Sequence, residues 1–230
     1  MAPHQPPDVT VPFGCGRAYP VSQGHQTGSH LQNDSWAWDF RMPEGVPIVA
    51  ALDGLVRVAR GDSQIGGCDP RFAADANYVV LAHDNGWETQ YLHFSKVVVT
   101  AGQRVRAGQL LGYSGKTGWA CGPHLHFKVA RAEGPGWNNP SVPARIRGYG
   151  DPVLDTLIDA GACNEHSPLM ATQIPDPSTP STAHGASDAP SNSSSARPSP
   201  SPSAPQKSVG PVSPPPTGDA VKLAGPAPKA

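Results

Sequence analysis

The chain has 230 residues, of which 28 are proline and 25 glycine, with only 15 Phe, Trp and Tyr (five of each) and a formal charge of -1. This composition excludes a coiled coil, a multi-span membrane protein and a general electrostatic case for nucleic-acid binding. It is also uneven along the chain. Every aromatic residue lies at or before Tyr149, whereas residues 171–230 hold 14 prolines, 12 serines and no aromatic side chain. Such a stretch has too little apolar surface to offset the entropy of ordering it. Residues 171–230 are therefore expected to form a disordered Pro/Ser/Ala-rich tail or linker, and residues 1–170 to form one domain around one core.

The start, MAPHQPPDVTVPFGCG, lacks the basic and apolar regions of a secretory signal. No apolar run is long enough for a membrane-spanning helix. Four cysteines (Cys15, Cys68, Cys121, Cys163) are widely spaced with no CxxC pair. That spacing argues against a cysteine-rich zinc site and favours disulfides over buried free thiols, with three pairings open.

In chain order, PIVAALDGLVRVAR gives two strand-like runs broken at Asp53-Gly54. NYVVLAHDNGWETQYLHF reads as a hairpin turning at Asp84-Asn85-Gly86, with His83 packing or hydrogen bonding near the turn. Residues 103–105 and 110–113 flank Ala107-Gly108 as another tight reversal. After the glycine-rich GKTGWACG, residues 124–129 form a further strand. VLDTLIDA (153–160) reads as a short helix. Many short strands with glycine-rich turns predict an all-β fold, a compact antiparallel β-sandwich or partly open barrel.

Several polar positions stand out. His124 and His126 in GPHLHF are two apart, so on a strand both imidazoles project to one face while Leu125 and Phe127 face the core. Such a pair places a metal ligand beside a second catalytic group, or else lies on a solvated strand face. His93 in YLHF shares strand parity with Tyr91. Asp39, between Trp38 and Phe40, is costly to desolvate unless something pairs with it, and a cation would do so. Two imidazoles and a carboxylate leave one tetrahedral position of zinc open, the arrangement of a catalytic rather than a structural site.

The order His30…Asp39, DGLV, YLHF, VRAGQLLGYSGKTG and GPHLHF resembles the LytM/lysostaphin-type zinc metallopeptidases, peptidase family M23, over about residues 30–130. By that resemblance one zinc ion is held by His30, Asp39 and His126 in a groove across a β-sheet domain. His93 and His124 match the two histidines that assist the attacking water and steady the oxyanion. Many members carry HxxxD where this chain has LQNDSWAW between His30 and Asp39, read here as a longer loop that returns to the metal. Asp34 and His25 are rival ligands, and Cys121 is read as half of a disulfide that stiffens its loop. Residues 115–121 and the loop between His30 and Asp39 are expected to frame the substrate groove, with Trp36, Trp38 and Trp119 either lining it or packing in the core. His4, His166 and His184 lie outside the motifs.

The resemblance implies a zinc metalloendopeptidase that hydrolyses peptide bonds of bacterial peptidoglycan, in stem peptides or cross-bridges. It implies a monomer acting in the periplasm, at the cell envelope or outside the cell, with no nucleic-acid partner. The alternative is a catalytically silent relative that regulates or scaffolds wall amidases.

Overall fold

The computed structural model describes residues 5–163. The expected tail, the domain end at residue 170, and His4, His166 and His184 lie outside the described residues. Fifteen short strands follow in order. They are β1 (Asp8–Val9), β2 (Ala18–Gln23), β3 (Trp38–Arg41), β4 (Pro47–Val49) and β5 (Gly54–Arg60). Next come β6 (Gly66–Gly67), β7 (Tyr78–Ala82), β8 (Trp87–Leu92), β9 (Phe94–Val97) and β10 (Arg104–Val105). The last are β11 (Leu110–Ser114), β12 (Gly118–Trp119), β13 (His124–Arg131), β14 (Arg145–Ile146) and β15 (Leu157–Asp159). Helical structure among the described residues is limited to 3-10 segments, at Gln32–Asp34, Pro70–Asp75 and Asp84–Gly86.

An antiparallel sheet of eight strands, in the order β10-β5-β7-β8-β13-β3-β2-β15, forms the frame, and a three-stranded antiparallel sheet, β4-β11-β9, accompanies it. One core cluster draws on both sheets: Trp38, Phe40, Val56, Leu81, Tyr91 and Phe127 from the large sheet, and Ile48, Phe94 and Leu111 from the small one. Each fully buried Leu, Ile or Phe among them contributes about 1.5–3 kcal/mol relative to exposure. The protein is thus all-β and antiparallel in its main sheets, as the short-strand pattern predicts.

The hairpin of β7 and β8 forms as expected, Tyr78 opposite Leu92 and Ala82 opposite Glu88, and its turn places Asn85 and Gly86 at φ of +60° and +75°. His83 closes it, with Nδ1 donating to Asp53 O at 2.8 Å and Nε2 accepting from Thr89 Oγ1 at 2.8 Å. The turn at Ala107-Gly108 is present, with Gln109 N donating to Arg106 O at 2.9 Å, and the chain changes sheets there, β10 pairing with β5 while β11 pairs with β4 and β9. One expectation fails. Residues 153–160 are not helical. Asp155 turns with φ +64°, Val153 and Leu154 are exposed, and residues 157–159 extend as β15 against β2 with Ile158 alone buried. The apolar spacing there carries one inward side chain, too few for a helix face.

Outside the core, Glu88, Gln90 and Lys128 are fully buried on a face of the large sheet, a polar row that loops must cover and satisfy. Asn139 Nδ2 donates to Glu88 Oε2 at 2.9 Å, and Arg57 ion-pairs with the same carboxylate. The cysteines pair as Cys15–Cys163 and Cys68–Cys121, spanning 148 and 53 residues, with no free cysteine among the described residues. The first bond ties the two ends of the described chain together and the second holds the segment after β12. Replacing Cys15 and Cys163 by Ser should lower the unfolding free energy by about 2–5 kcal/mol, read from denaturant melts of the oxidised proteins. An unchanged midpoint would contradict this tie.

Candidate metal centre

The site begins with the pairing of β3 and β13. Asp39 stands opposite His126, Arg41 opposite His124, Phe40 opposite Leu125 and Trp38 opposite Phe127. Strand alternation then sends Asp39, Arg41, His124 and His126 to the groove face, while Trp38, Phe40, Leu125 and Phe127, all at 0–1 % exposure, anchor the other face in the core. His30 arrives from the segment before the 3-10 turn at Gln32–Asp34 and is fully buried.

His30, Asp39 and His126 each offer one ligand atom, and these atoms all lie within 4.8 Å of one another. Asp39 Oδ1 is 3.0 Å from His30 Nε2 and 3.0 Å from His126 Nδ1. Ligand atoms on a tetrahedral ion with bonds of ~2.0–2.1 Å sit about 3.3 Å apart, so the spacing fits zinc. Proton bookkeeping points the same way. His30 Nδ1 lies 2.9 Å from Gly24 O, which can only accept, so Nδ1 carries the hydrogen. In the neutral ring Nε2 then presents a lone pair to a carboxylate oxygen, and only a cation, a proton or a metal, reconciles the two.

The electrostatics agree. Burial pushes the Asp39 carboxyl up, but hydrogen bonds with His126 and His30 and the charge of the imidazoles outweigh it, leaving Asp39 well below the usual carboxylate range. Burial pushes His126 down, and Asp34 and Asp39 outweigh that to hold it at about 9. The site is a place where positive charge is favoured.

Two further imidazoles flank this group. The His93 and His124 rings lie 4.4 Å apart by centroid, and His124 Nε2 is 3.7 Å from Asp39 Oδ2. His93 Nδ1 donates to Thr117 O at 2.7 Å, and His124 Nδ1 donates to Gly122 O at 2.9 Å, so in the neutral rings both Nε2 atoms are lone-pair acceptors. Burial, followed by the neighbouring His124 and His126, lowers His93 to about 3, so it stays neutral.

His93 does not share a face with Tyr91, contrary to strand parity. The strand ends at Leu92, and His93 takes φ +71°, which swings its ring to the groove while Tyr91 stays in the core. The cost of that backbone conformation is met locally. His93 N donates to Asn77 O at 2.9 Å, Asn77 Nδ2 donates to Ser63 O and Phe94 O, and Thr117 Oγ1 donates to Phe94 O. Gly118, at φ +81°, allows the approach, since an added Cβ would lie 2.6 Å from Ala76 Cβ. Sequence reasoning missed Asn77 and Thr117, because a polar residue heading a strand and a Thr in a glycine-rich loop carry no signal of their own. Lys128 was legible in principle, because parity with His124 and His126 puts it on the site face.

The groove has a volume of about 810 Å³ and is lined by Asp39, His93, His124 and His126 together with the segments around Trp119–Pro123 and Gln23–Ser29. Trp119 is part of the wall, at 38 % exposure. Trp38 is core, its Nε1 donating to Pro152 O, and Trp36 packs edge-on against His25. The expectation that the loop between His30 and Asp39 frames the groove is corrected. The lining passes from Ser29 directly to Asp39, and from that loop Asp34 reaches the Nε2 side of the His126 ring and Lys128 instead. Neither rival joins the donor group. His25 faces Asp151 at 3.5 Å, and Asp34 lies on the Nε2 side of His126, away from Asp39.

An all-β frame with a His/Asp/His donor set and two flanking imidazoles in one groove defines a domain of the metallopeptidase class. Residues 33–139 match the sequence model of peptidase family M23, and the chain belongs to that family. It is 43% identical over 91 residues to the peptidoglycan DD-endopeptidase ShyA of Vibrio cholerae, covering 40% of this chain and 19% of that protein. To the glycyl-glycine endopeptidase ALE-1 of Staphylococcus capitis it is 38% identical over 117 residues, 50% of this chain and 28% of that one. The structure of the catalytic domain of lysostaphin, an antimicrobial peptidase of Staphylococcus simulans, aligns at 30% identity and a TM-score of 0.38, covering 51% of this chain and 82% of that domain. The chain thus spans 19–28% of the length of these curated relatives.

Histidines set the pH dependence of the metal-free protein in opposite senses. His126, raised to about 9 from 6.5, contributes stability that is complete below about pH 6.5 and lost as pH rises through 9. His93, His83 and His25 are all lowered from 6.5 by burial, so the unfolded chain binds their protons more readily and stability is lost below about pH 6.5. Thermal melts in chelator should therefore peak near pH 6.5 and fall toward pH 9. A melting temperature that climbs steadily from pH 6.5 to 9 would contradict this charge assignment.

Proposed function

We propose that this chain is a zinc-dependent endopeptidase that hydrolyses peptide bonds in bacterial peptidoglycan, in stem peptides or cross-bridges. One zinc ion is held by His30, Asp39 and His126, and His93 and His124 are the catalytic residues. The observation that carries this reading is the convergence of three ligand atoms within 4.8 Å, with two further imidazoles at the same groove wall. The names of the relatives, two of them endopeptidases of peptidoglycan or of glycyl-glycine bonds, support the substrate class.

Zinc bound there supplies polarisation of an amide carbonyl and acidification of water. The chain's own groups do the rest. His93, neutral and with Nδ1 committed to Thr117 O, offers Nε2 as an acceptor for the proton of an attacking water. His124, similarly fixed through Gly122 O, stands beside it to steady the developing oxyanion or to hand a proton to the departing amine. Trp119 and the disulfide-held segment before His124 wall off one side of the groove. One matched relative is by name an endopeptidase of peptidoglycan, which supports action at the envelope or outside the cell, and we take the protein to act there as a monomer. We take the catalytic domain to include the described residues 5–163.

Purified protein should contain about one zinc, lose activity with a strong chelator and recover it when zinc is restored. His126→Ala should abolish metal binding, whereas His93→Ala should keep the metal and lose about 10²–10⁴-fold in turnover. Mass spectrometry of fragments released from peptidoglycans of different cross-bridge chemistry identifies the bond. Full cleavage by metal-free protein would overturn the reading.

A further inference from the structure

Lys128 is the third residue of the row His124, His126, Lys128 on one face of β13, and it is fully buried. Its Nζ donates to Asp34 Oδ1 at 2.7 Å, Asn33 O at 2.9 Å, Asn139 O at 3.0 Å and also to Asn138 Oδ1. An ammonium so enclosed is stable only with such partners, and in turn it fixes them. Asp34 belongs to the stretch that lengthens the spacing between His30 and Asp39 to nine residues, and that stretch crosses the sheet face over Lys128. The loop is pinned twice more, by Asn33 Nδ2 donating to Asn138 O at 2.8 Å and by Trp36 N donating to Ser141 Oγ at 2.9 Å.

The result is a carboxylate behind the His126 ring. Asp34 Oδ1 is 3.4 Å from His126 Nε2, a buried atom that has no hydrogen-bond partner. The opposite ring nitrogen, Nδ1, is the one that faces Asp39. For Nδ1 to present its lone pair to a metal, the ring hydrogen must sit on Nε2, where a buried N–H without an acceptor is costly. Among the described residues Asp34 is the carboxylate on that side, and its two oxygens have lone pairs for both Lys128 and His126.

We propose that Asp34, anchored by Lys128, is a positioning residue for His126. Its carboxylate accepts the Nε2 hydrogen, which fixes the ring and its tautomer with Nδ1 turned to the metal, and so strengthens metal binding. The longer loop is thereby a support for the metal site, delivered from the side away from the groove. This inference rests on His126 being a zinc ligand, as in the proposed function.

The test measures zinc affinity of the full chain by competition with a chromophoric chelator, for the wild type, Asp34→Ala and Asp34→Asn. Asp34→Ala should bind zinc about 10–100-fold more weakly, and Asp34→Asn should fall between it and the wild type, since the amide oxygen still accepts but carries no charge. In the zinc-loaded wild type the His126 Nε2 proton should appear in NMR as a slowly exchanging, downfield signal that shifts in Asp34→Asn. A loss of packing alone would not move that proton. Zinc affinity of Asp34→Ala within twofold of the wild type overturns the inference. Should Asp34→Ala fail to fold, unchanged affinity and an unmoved proton in the isosteric Asp34→Asn overturn it equally. A wild type that binds no zinc overturns both this inference and the proposed function. Tight binding by the wild type with unaffected variants overturns this inference alone.

Discussion

The pairing of Asp39 with His126 across β3 and β13 is the constraint on which the rest of the structure depends. Register in a half-buried antiparallel pair admits no compromise, because a slip of one residue exchanges the two faces. Here the apolar face holds Trp38, Phe40, Leu125 and Phe127 in the core, so the polar face must present Asp39, Arg41, His124 and His126 together. Core packing therefore sets the geometry of the metal centre. The site needs no strained loop to bring its carboxylate to its imidazole, and both sit on rigid strands, where a functional constellation is held most firmly.

What must be supplied from outside this strand pair arrives by more individual means. His30 is brought in by the segment before a 3-10 turn and locked by Gly24 O. His93 is turned out of its strand by a left-handed backbone step, which the network of Asn77 and Thr117 over-determines. The disulfide between Cys68 and Cys121 holds the segment that leads into His124. Three different devices thus converge on one site, and His30, His93 and His124 each commit Nδ1 to a backbone carbonyl rather than to a side chain that does the chemistry. The catalytic imidazoles keep a ring nitrogen free as a result.

Much of this was legible from residue order alone. Strand alternation in HLHF placed His124 and His126 on one face and Leu125 and Phe127 in the core, and Asp-Asn-Gly marked the hairpin. The resemblance to family M23 drew His30, Asp39, His93, His124 and His126 into one group, and the geometry brings the five side chains close together, four of them lining the groove and His30 buried beside Asp39 and His126. What resisted reading was of two kinds. Long-range choices, such as β10 joining β5 while β11 joins β4, depend on which sheet has a free edge, and local propensity is blind to that. Single backbone exceptions, such as φ +71° at His93 and +64° at Asp155, break parity or helix where no glycine announces them. The spacing of nine between His30 and Asp39 was visible as a departure, but the use of the extra loop, to cover Lys128 and back His126 with Asp34, required the fold.

The central claim is that His30 Nε2, Asp39 Oδ1 and His126 Nδ1 share one zinc ion. Anomalous diffraction from crystals of the zinc-loaded protein, with data on both sides of the zinc absorption edge, tests it most directly. The account predicts one strong difference peak about 2.0–2.2 Å from each of those three atoms, with no protein sulfur in contact. A peak on other residues, or none at this group in protein that retains zinc, would contradict it.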